Sequence, residues 1–92
     1  METYNNISMV FNQVKHEKIL LHQLPVGKSA RVKELLSKGL SRRRLLDLGL
    51  IPNSLVSVER ISPSGNPIAF NIRGAIIALR KEEAQNIVVK PI

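Results

Sequence analysis

Residues 56–79 read VSVERISPSGNPIAFNIRGAIIAL, and this stretch decides the fold. In residues 68–73 a large apolar side chain stands at every second position, and polar side chains fall on the opposite face. This period of two predicts a half-buried strand. Residues 56–61 begin with the same alternation and lose it at Arg60, which predicts a bulge or a sharp bend in the preceding strand. We therefore expect two consecutive hairpins in a curled sheet, with the rest of the chain closing around them.

The two strands are joined by a loop that is rich in proline and small polar residues. Its residues are Pro63, Ser64, Gly65, Asn66 and Pro67. Gly65 and Asn66 tolerate positive φ, and each proline lacks the N–H that a sheet ladder needs, so neither end of the loop can continue the sheet. The loop is therefore predicted to be exposed and fairly stiff.

The remaining strands are shorter and follow from simpler patterns. Residues 28–35 alternate as a first strand, and residues 87–90 read as a final one. A tight turn at residues 73–74 leads into residues 75–80, which are apolar on both faces and suit the middle of a small closed barrel. Residues 81–86 are compatible with one helical turn. The predicted fold is mainly β, a small SH3-like five-stranded barrel with one or two short helices.

The clearest helix signal lies between the first strand and the hairpins. Ser41 is a candidate N-cap, and Gly49 is a candidate C′ residue just past the last periodic leucine. The side chains predicted to face the core are Leu40, Leu45, Leu46 and Leu48. The side chains predicted to point outward or to flank the core are Arg42, Arg43 and Arg44. Asp47 lies within ion-pairing reach of Arg43 and Arg44 along the helix, which is expected to cover one end of the barrel.

Composition limits the classes of function. The chain has 92 residues, enough for one domain, and a net charge of +7, which indicates either an acidic partner or a solvated basic surface. With two Phe, one Tyr and no Trp, it lacks the aromatic platforms of single-stranded nucleic-acid binders. It contains no cysteine, no apolar run long enough to span a membrane and no secretory signal pattern. A cytoplasmic protein without direct membrane insertion is therefore expected.

Residues 1–19 are predicted to form an extension outside the domain at residues 20–92. The apolar residues at helical spacing in this extension are Ile7, Val10, Phe11 and Val14. Two turns are too few to be stable alone, so this segment is either a frayed terminus or a short amphipathic helix that docks on a surface. His16 and His22 have no third ligand at motif spacing, so no metal site is predicted.

Catalytic motifs are absent from the sequence. It has no phosphate-cradling G-x-x-x-x-G-K-S/T loop, no dinucleotide glycine fingerprint, no H-E-x-x-H helix and no G-x-S-x-G elbow. The acidic residues show no paired arrangement that the sequence alone brings together. The sequence therefore predicts a binding module that is not an enzyme and has no cofactor.

Four segments occur in the order typical of one family. They are the arginine and leucine helix that ends in Leu48-Gly49-Leu50, the Pro63-to-Pro67 loop, the Arg73-Gly74 turn and the strand Ala78-Leu79-Arg80. Over about residues 20–90 the chain resembles the FeoA family, ferrous iron transport protein A. The resemblance implies an SH3-like barrel and a small cytoplasmic accessory protein that supports ferrous iron uptake. Its implied partner is FeoB, a membrane transporter with a GTPase domain, which would place the protein at the inner face of the membrane.

The loop departs from the family's usual Pro-Leu-Gly-Asp-Pro. Ser64 and Asn66 stand at the apolar and the acidic positions, so a contact surface there lacks its apolar anchor and its charge. Asn53 stands where glycine is usual, which is tolerable because asparagine also accepts a left-handed conformation.

We predict a non-enzymatic adaptor with two candidate partner surfaces. The candidate partner-binding residues are Arg42, Arg43, Arg44, Pro63, Ser64, Gly65, Asn66 and Pro67. The simpler interpretation of both patches is structural, namely a turn and a solvated helix face. Any Fe(II) binding would be weak, and self-association would be weak too. The alternative functions are a basic small-barrel module that binds nucleic acid, and a free-standing relative of the SH3-like domain of metal-dependent repressors.

Overall fold

The computed structural model describes residues 17–92. Its strands are β1 (Ile19–Leu20), β2 (Ser29–Leu35), β3 (Leu55–Ile61), β4 (Ile68–Ile72), β5 (Ala75–Leu79) and β6 (Ile87–Pro91). Its helices are α1 (Gly39–Asp47) and α2 (Lys81–Ala84), and a 3₁₀ turn spans Leu21–Gln23. The amphipathic helix predicted near the N-terminus and His16 lie outside the described residues, so that prediction stays a prediction.

The strands form one antiparallel sheet in the order β1-β6-β2-β3-β4-β5. The mainly β prediction is confirmed, but the described chain has six strands where five were expected. The additional strand is β1, in which Ile19 pairs with Val89 and Leu20 with Val88 of β6. Two residues are too few to show an alternation, so only the pairing itself identifies this strand.

The predicted bulge in β3 is present. The register shifts between Val58 and Arg60, which face the consecutive β4 residues Phe70 and Ala69. A second shift lies in β2 at the step from Val32 to Glu34. Each bulge bends its strand and increases the local twist, which lets the short strands curl around a small core.

The core is the inward face of the alternating strands together with one side of α1. Phe70 is fully buried, as are Val56 on β3 and Val89 on β6. The remaining core residues are Leu21, Leu24, Ala30, Val32, Leu45, Leu50, Val58, Ile68, Ile72, Leu79, Ala84 and Ile87. The inward and outward faces that the alternation predicted for β2 and β4 are therefore confirmed.

The prediction that residues 75–80 lie mid-barrel is wrong. β5 pairs only with β4 and ends the sheet, and the side chain of Ile76 is 55% exposed. A sequence that is apolar on both faces of a strand is the same for an edge strand and for a central strand. It therefore does not show whether a second strand pairs with it. The tight turn before it is confirmed, since Arg73 and Gly74 take φ values of 53° and 97°, both positive as in a two-residue hairpin turn.

The boundaries of α1 differ from the prediction at one end. The helix begins at Gly39 with Lys38 in the N-cap position, so Ser41 is a residue of the first turn and its predicted N-cap role is wrong. Gly49 follows the C-cap Leu48 with φ 102°, and its N–H donates to the Leu46 carbonyl at 2.9 Å. The predicted C′ glycine is therefore confirmed.

Candidate partner-binding surface

The three arginines of α1 point in three directions, because successive residues of an α-helix are about 100° apart. Arg42 lies beside β2, where it lines a small groove with Lys33 and Glu34. Arg43 faces solvent and pairs with Asp47 at 3.6 Å, as predicted. Arg44 turns toward α2. The run Arg42 to Arg44 therefore does not form a single cationic patch.

Arg44 anchors α1 to α2 through a carboxylate. Its guanidinium donates to Glu83, while the other carboxylate oxygen of Glu83 accepts the backbone N–H of Arg80 at 3.1 Å. Arg80 precedes the first residue of α2, so Glu83 closes the N-terminal end of the helix on which it lies. One side chain thus fixes the end of α2 and holds it against α1.

The proline-rich loop is closed by its own hydrogen bonds. The N–H of Ser62 donates to the Pro67 carbonyl at 3.2 Å, and the N–H of Gly65 donates to the Ser62 carbonyl at 2.8 Å. The Ser64 hydroxyl donates to the Asn66 carbonyl at 2.9 Å. Pro63, Ser64 and Pro67 are exposed. The loop therefore presents both prolines to solvent on a constrained backbone.

Asn66 ties this loop to α2. Its side-chain oxygen accepts the backbone N–H of Lys81 at 2.9 Å, and its amide nitrogen donates to the Glu82 carboxylate at 3.3 Å. An aspartate at this position could accept the first bond, but it would place a second carboxylate against Glu82. Asparagine can accept from the Lys81 N–H and also donate to the Glu82 carboxylate, so it suits a loop that lies beside Glu82.

The pKa of Glu82, the first acidic residue of α2, departs from its ordinary value. A hydrogen bond from its own backbone N–H lowers the pKa of the Glu82 carboxyl, and the Asn66 amide lowers it further. A small loss of solvation opposes these effects, while the charges of Arg80 and Lys81 support them. The ionised form is therefore favoured, and it keeps the bond to Asn66 intact.

The two predicted patches meet at α2, which contacts α1 through Glu83 and the loop through Glu82 and Lys81. We call residues 40–44 and 63–67 the helix–loop surface. A groove of about 240 Å³ separates α1 from α2. It is lined by Ser37, Ser41, Leu45, Glu82, Glu83 and Asn86. The structure thus links two patches that lie about twenty residues apart in the sequence.

Leu40 is the most exposed apolar residue of the helix–loop surface, and the sequence interpretation placed it in the core by mistake. Its side chain is 89% exposed, whereas Leu45 is buried. Leu40 and Leu45 are five positions apart, so Leu40 lies about 140° around the helix from Leu45. The sequence alone gives this angle, and it would have placed Leu40 on the outer face of the helix. An exposed apolar side chain there is a candidate contact residue.

Among residues 17–92, no three His, Asp or Glu side chains are grouped closely enough to hold a metal ion. His22 is half-buried in the 3₁₀ turn. Weak Fe(II) binding therefore stays a prediction. In the same part of the chain, no helix combines the length and the apolar character that crossing a lipid bilayer demands.

Comparison with known proteins gives a consistent result. A family model of the FeoA domain matches residues 19–91. The Fe(2+) transport protein A/Fe(2+) transporter FeoB fusion protein of Porphyromonas gingivalis is 28% identical over 70 residues, which make up 76% of this chain and 8% of the fusion protein. This chain therefore spans only a small part of that relative.

Solved structures show the same relationship. The solution structure of the FeoA protein from Chlorobium tepidum has 35% identity and a TM-score of 0.76, over 80% of this chain and 70% of that chain. The crystal structure of Stenotrophomonas maltophilia FeoA, described as a prokaryotic SH3 domain protein complexed with zinc, has 29% identity and a TM-score of 0.70, over 77% and 88% of the two chains. The predicted SH3-like fold is confirmed, and the chain belongs to the FeoA domain family.

Proposed function

We propose that the protein is a non-enzymatic accessory protein of ferrous iron uptake that acts on a FeoB-type membrane GTPase transporter. The observation that carries this proposal is the family match over residues 19–91, together with a relative that joins the two proteins in one chain. A fusion holds its parts at high effective concentration, which favours parts that work on each other. The protein would then act in the cytoplasm, at the inner face of the membrane and through its partner.

The helix–loop surface is the contact that we propose. Leu40 supplies an exposed apolar anchor beside the charged Arg43, and Pro63 and Pro67 add apolar area with little conformational freedom. The bonds of Arg44 and Asn66 to α2 hold helix and loop in place before a partner arrives. Such preorganisation lowers the entropic cost of binding. Ser64 and Asn66 replace the apolar and acidic residues that the family resemblance implies for the loop. The apolar anchor of this surface therefore lies on the helix, at Leu40.

The test is a titration of isotope-labelled protein with the soluble cytosolic portion of its matching FeoB-type transporter, read by amide chemical shifts. We expect shifts confined to residues 40–49 and 62–67. Leu40→Ser should weaken binding roughly tenfold, since it removes an anchor worth about 1–2 kcal/mol when buried. Ile92→Ser is the matched control, because Ile92 is also an isolated apolar side chain, 76% exposed, and lies outside the surface.

Three other outcomes would contradict parts of the proposal. If Leu40→Ser and Ile92→Ser weaken binding equally, the helix–loop surface is not the contact, although the partner still binds. Shifts confined to residues 7–14 would move the contact to the N-terminal extension. An absence of shifts at high partner concentration would exclude direct binding to the cytosolic portion.

A further inference from the structure

A second surface, on the outer face of the sheet, carries cations that the fold itself does not neutralise. Arg31 of β2 lies directly opposite Lys90 of β6, and both are exposed. Like charges in directly opposed positions destabilise a sheet. Within residues 17–92 the ion pairs are Arg43–Asp47 and Arg44–Glu83, and neither involves this face. The repulsion is therefore relieved by solvent or by an anionic partner.

Arg31 and Arg73 border an apolar patch. Leu55 of β3 lies opposite Arg31, and the N–H of Arg73 donates to the Leu55 carbonyl at 3.4 Å, so Leu55 stands between the two arginines. Ile51 and Leu55 are 39% and 42% exposed. Together with Asn53, these residues line a shallow groove of about 430 Å³, which we call the sheet groove. Its centre is apolar and its two sides are cationic.

The cations of the sheet groove are held in place by groups that leave their charge intact. The Arg31 guanidinium donates to the Asn53 carbonyl at 3.2 Å. Asn53 is itself held by Lys33, which lies outside the groove and donates to its side-chain oxygen at 3.0 Å. The stem of Arg73 packs over Gly49, where a Cβ would lie 3.3 Å from its Cδ. Neutral oxygens and backbone position these side chains without cancelling their charge, so the groove is preorganised for an anion.

The chemistry of the sheet groove selects one class of occupant. A second copy docked through the same face would bring like charges together. A nucleic acid would offer phosphates but no apolar group for Ile51 and Leu55, and the described chain exposes no aromatic side chain on which bases could stack. We propose that the sheet groove binds an acidic segment of a partner protein in which carboxylates flank an apolar side chain. The carboxylates pair with Arg31 and Arg73, and the apolar side chain covers Leu55.

The test uses a short synthetic peptide in which one leucine is flanked by glutamates, at about 150 mM salt, where more distant charges are screened. We expect amide shifts at residues 31, 53 and 55. The double variant Arg31→Gln/Arg73→Asn should weaken binding roughly fivefold to tenfold. Asparagine is chosen at position 73 because it accepts positive φ. Lys28→Gln/Lys38→Gln removes the same charge from two exposed positions outside both surfaces and should leave the affinity unchanged. Urea unfolding confirms that both variants are folded.

Several results would overturn the proposal. Equal losses in the two double variants would mean that net charge alone attracts the peptide. If a peptide with serine in place of leucine binds as tightly, the proposed apolar contact with Leu55 does not contribute to binding. Duplex DNA or phosphatidylserine vesicles that displace the peptide at lower concentration would reassign the groove to nucleic acid or to lipid. A dimer that disappears in Arg31→Gln/Arg73→Asn would assign it to a second copy. None of these results depends on the helix–loop surface, so the two proposals fail separately.

Discussion

Asn66 shows how a single side chain joins two elements of this protein. Its oxygen accepts the first N–H of α2, and its nitrogen holds the carboxylate of the next residue, Glu82. The side chain therefore acts as a cap supplied from outside the helix, on a helix too short to stabilise itself. The position of the loop and the orientation of α2 depend on the same amide.

The pH response of Glu82 tests this arrangement. Because the folded-state pKa of Glu82 is lowered, its contribution to stability is present above the unfolded-state pKa and is lost as the pH falls through the folded-state value. Asn66→Ala removes one of the causes, so the Glu82 pKa should rise toward the ordinary value. Carboxyl carbon shifts recorded by NMR over an acidic titration measure it directly.

Ser64→Ala is the matched control for Asn66→Ala. Its hydroxyl bonds the Asn66 carbonyl within the same loop, but it does not reach α2. The Glu82 pKa should therefore stay at its lowered value in this variant. An unchanged Glu82 pKa in Asn66→Ala would show that the amide does not act on the carboxylate in solution.

At the residue scale, the sequence predicted what depends on neighbours along the chain. The turn residues Gly65 and Gly74 and the ion pair of Arg43 were all readable from local spacing. The bond from Asn66 to Glu82 joins residues sixteen positions apart, and the Arg44–Glu83 pair joins residues thirty-nine apart. Local patterns carry no information on such distances, so these contacts required the folded structure.

At the scale of elements, the Arg44–Glu83 ion pair joins α1 to α2 across the groove between them. Arg44 and Glu83 are less exposed than Arg43 and Asp47, and Glu83 is also bonded to the backbone of its own helix. A partner that is already fixed loses less side-chain entropy on pairing. The Arg44–Glu83 pair should therefore contribute more than the pair within α1.

A double-mutant cycle measures that difference. With Arg44→Met and Glu83→Gln, we expect a coupling free energy of about 0.5–1 kcal/mol in urea unfolding, falling at high salt. The same cycle with Arg43→Met and Asp47→Asn should give about 0.3 kcal/mol or less. Equal coupling in both cycles would mean that the fixed position of Glu83 adds nothing to its pairing with Arg44.

Strand existence was predictable and strand neighbours were not. The alternation in β4 fixes its inward face wherever it lies in the sheet, because successive side chains point to opposite sides. Nothing in β5 distinguishes an edge from a centre, since that depends on whether another strand lies beside it. The same reason explains β1, whose two residues become a strand only through their pairing with β6.

At the scale of the whole molecule, the basic charge is divided between two regions of different character. The arginines of α1 are partly neutralised by Asp47 and Glu83, whereas Arg31 and Arg73 line the sheet groove without an acidic neighbour in an ion pair within residues 17–92. A net charge of +7 therefore does not describe one uniform surface. It keeps the molecules apart in solution, and the sheet groove holds two arginines that neither ion pair of residues 17–92 neutralises.

That repulsion matters because the sheet ends in an unprotected strand. β5 contains no charged residue and no proline, and its outer edge has no neighbour in the described chain. A free apolar edge is a template for pairing with another chain. Ile76→Lys should slow aggregation on heating, measured by light scattering, and should change the unfolding free energy by less than about 0.5 kcal/mol, because Ile76 is already half exposed.

Leu40→Lys separates edge pairing from general apolar exposure. It adds the same single charge and removes a more exposed apolar side chain, but Leu40 lies on a helix and not on the open edge of a sheet. If free strand edges drive association, Ile76→Lys should protect more strongly, although Ile76 exposes less of its side chain than Leu40. If the two variants protect equally, added charge and lost apolar surface govern aggregation, and the open edge of β5 has no special role.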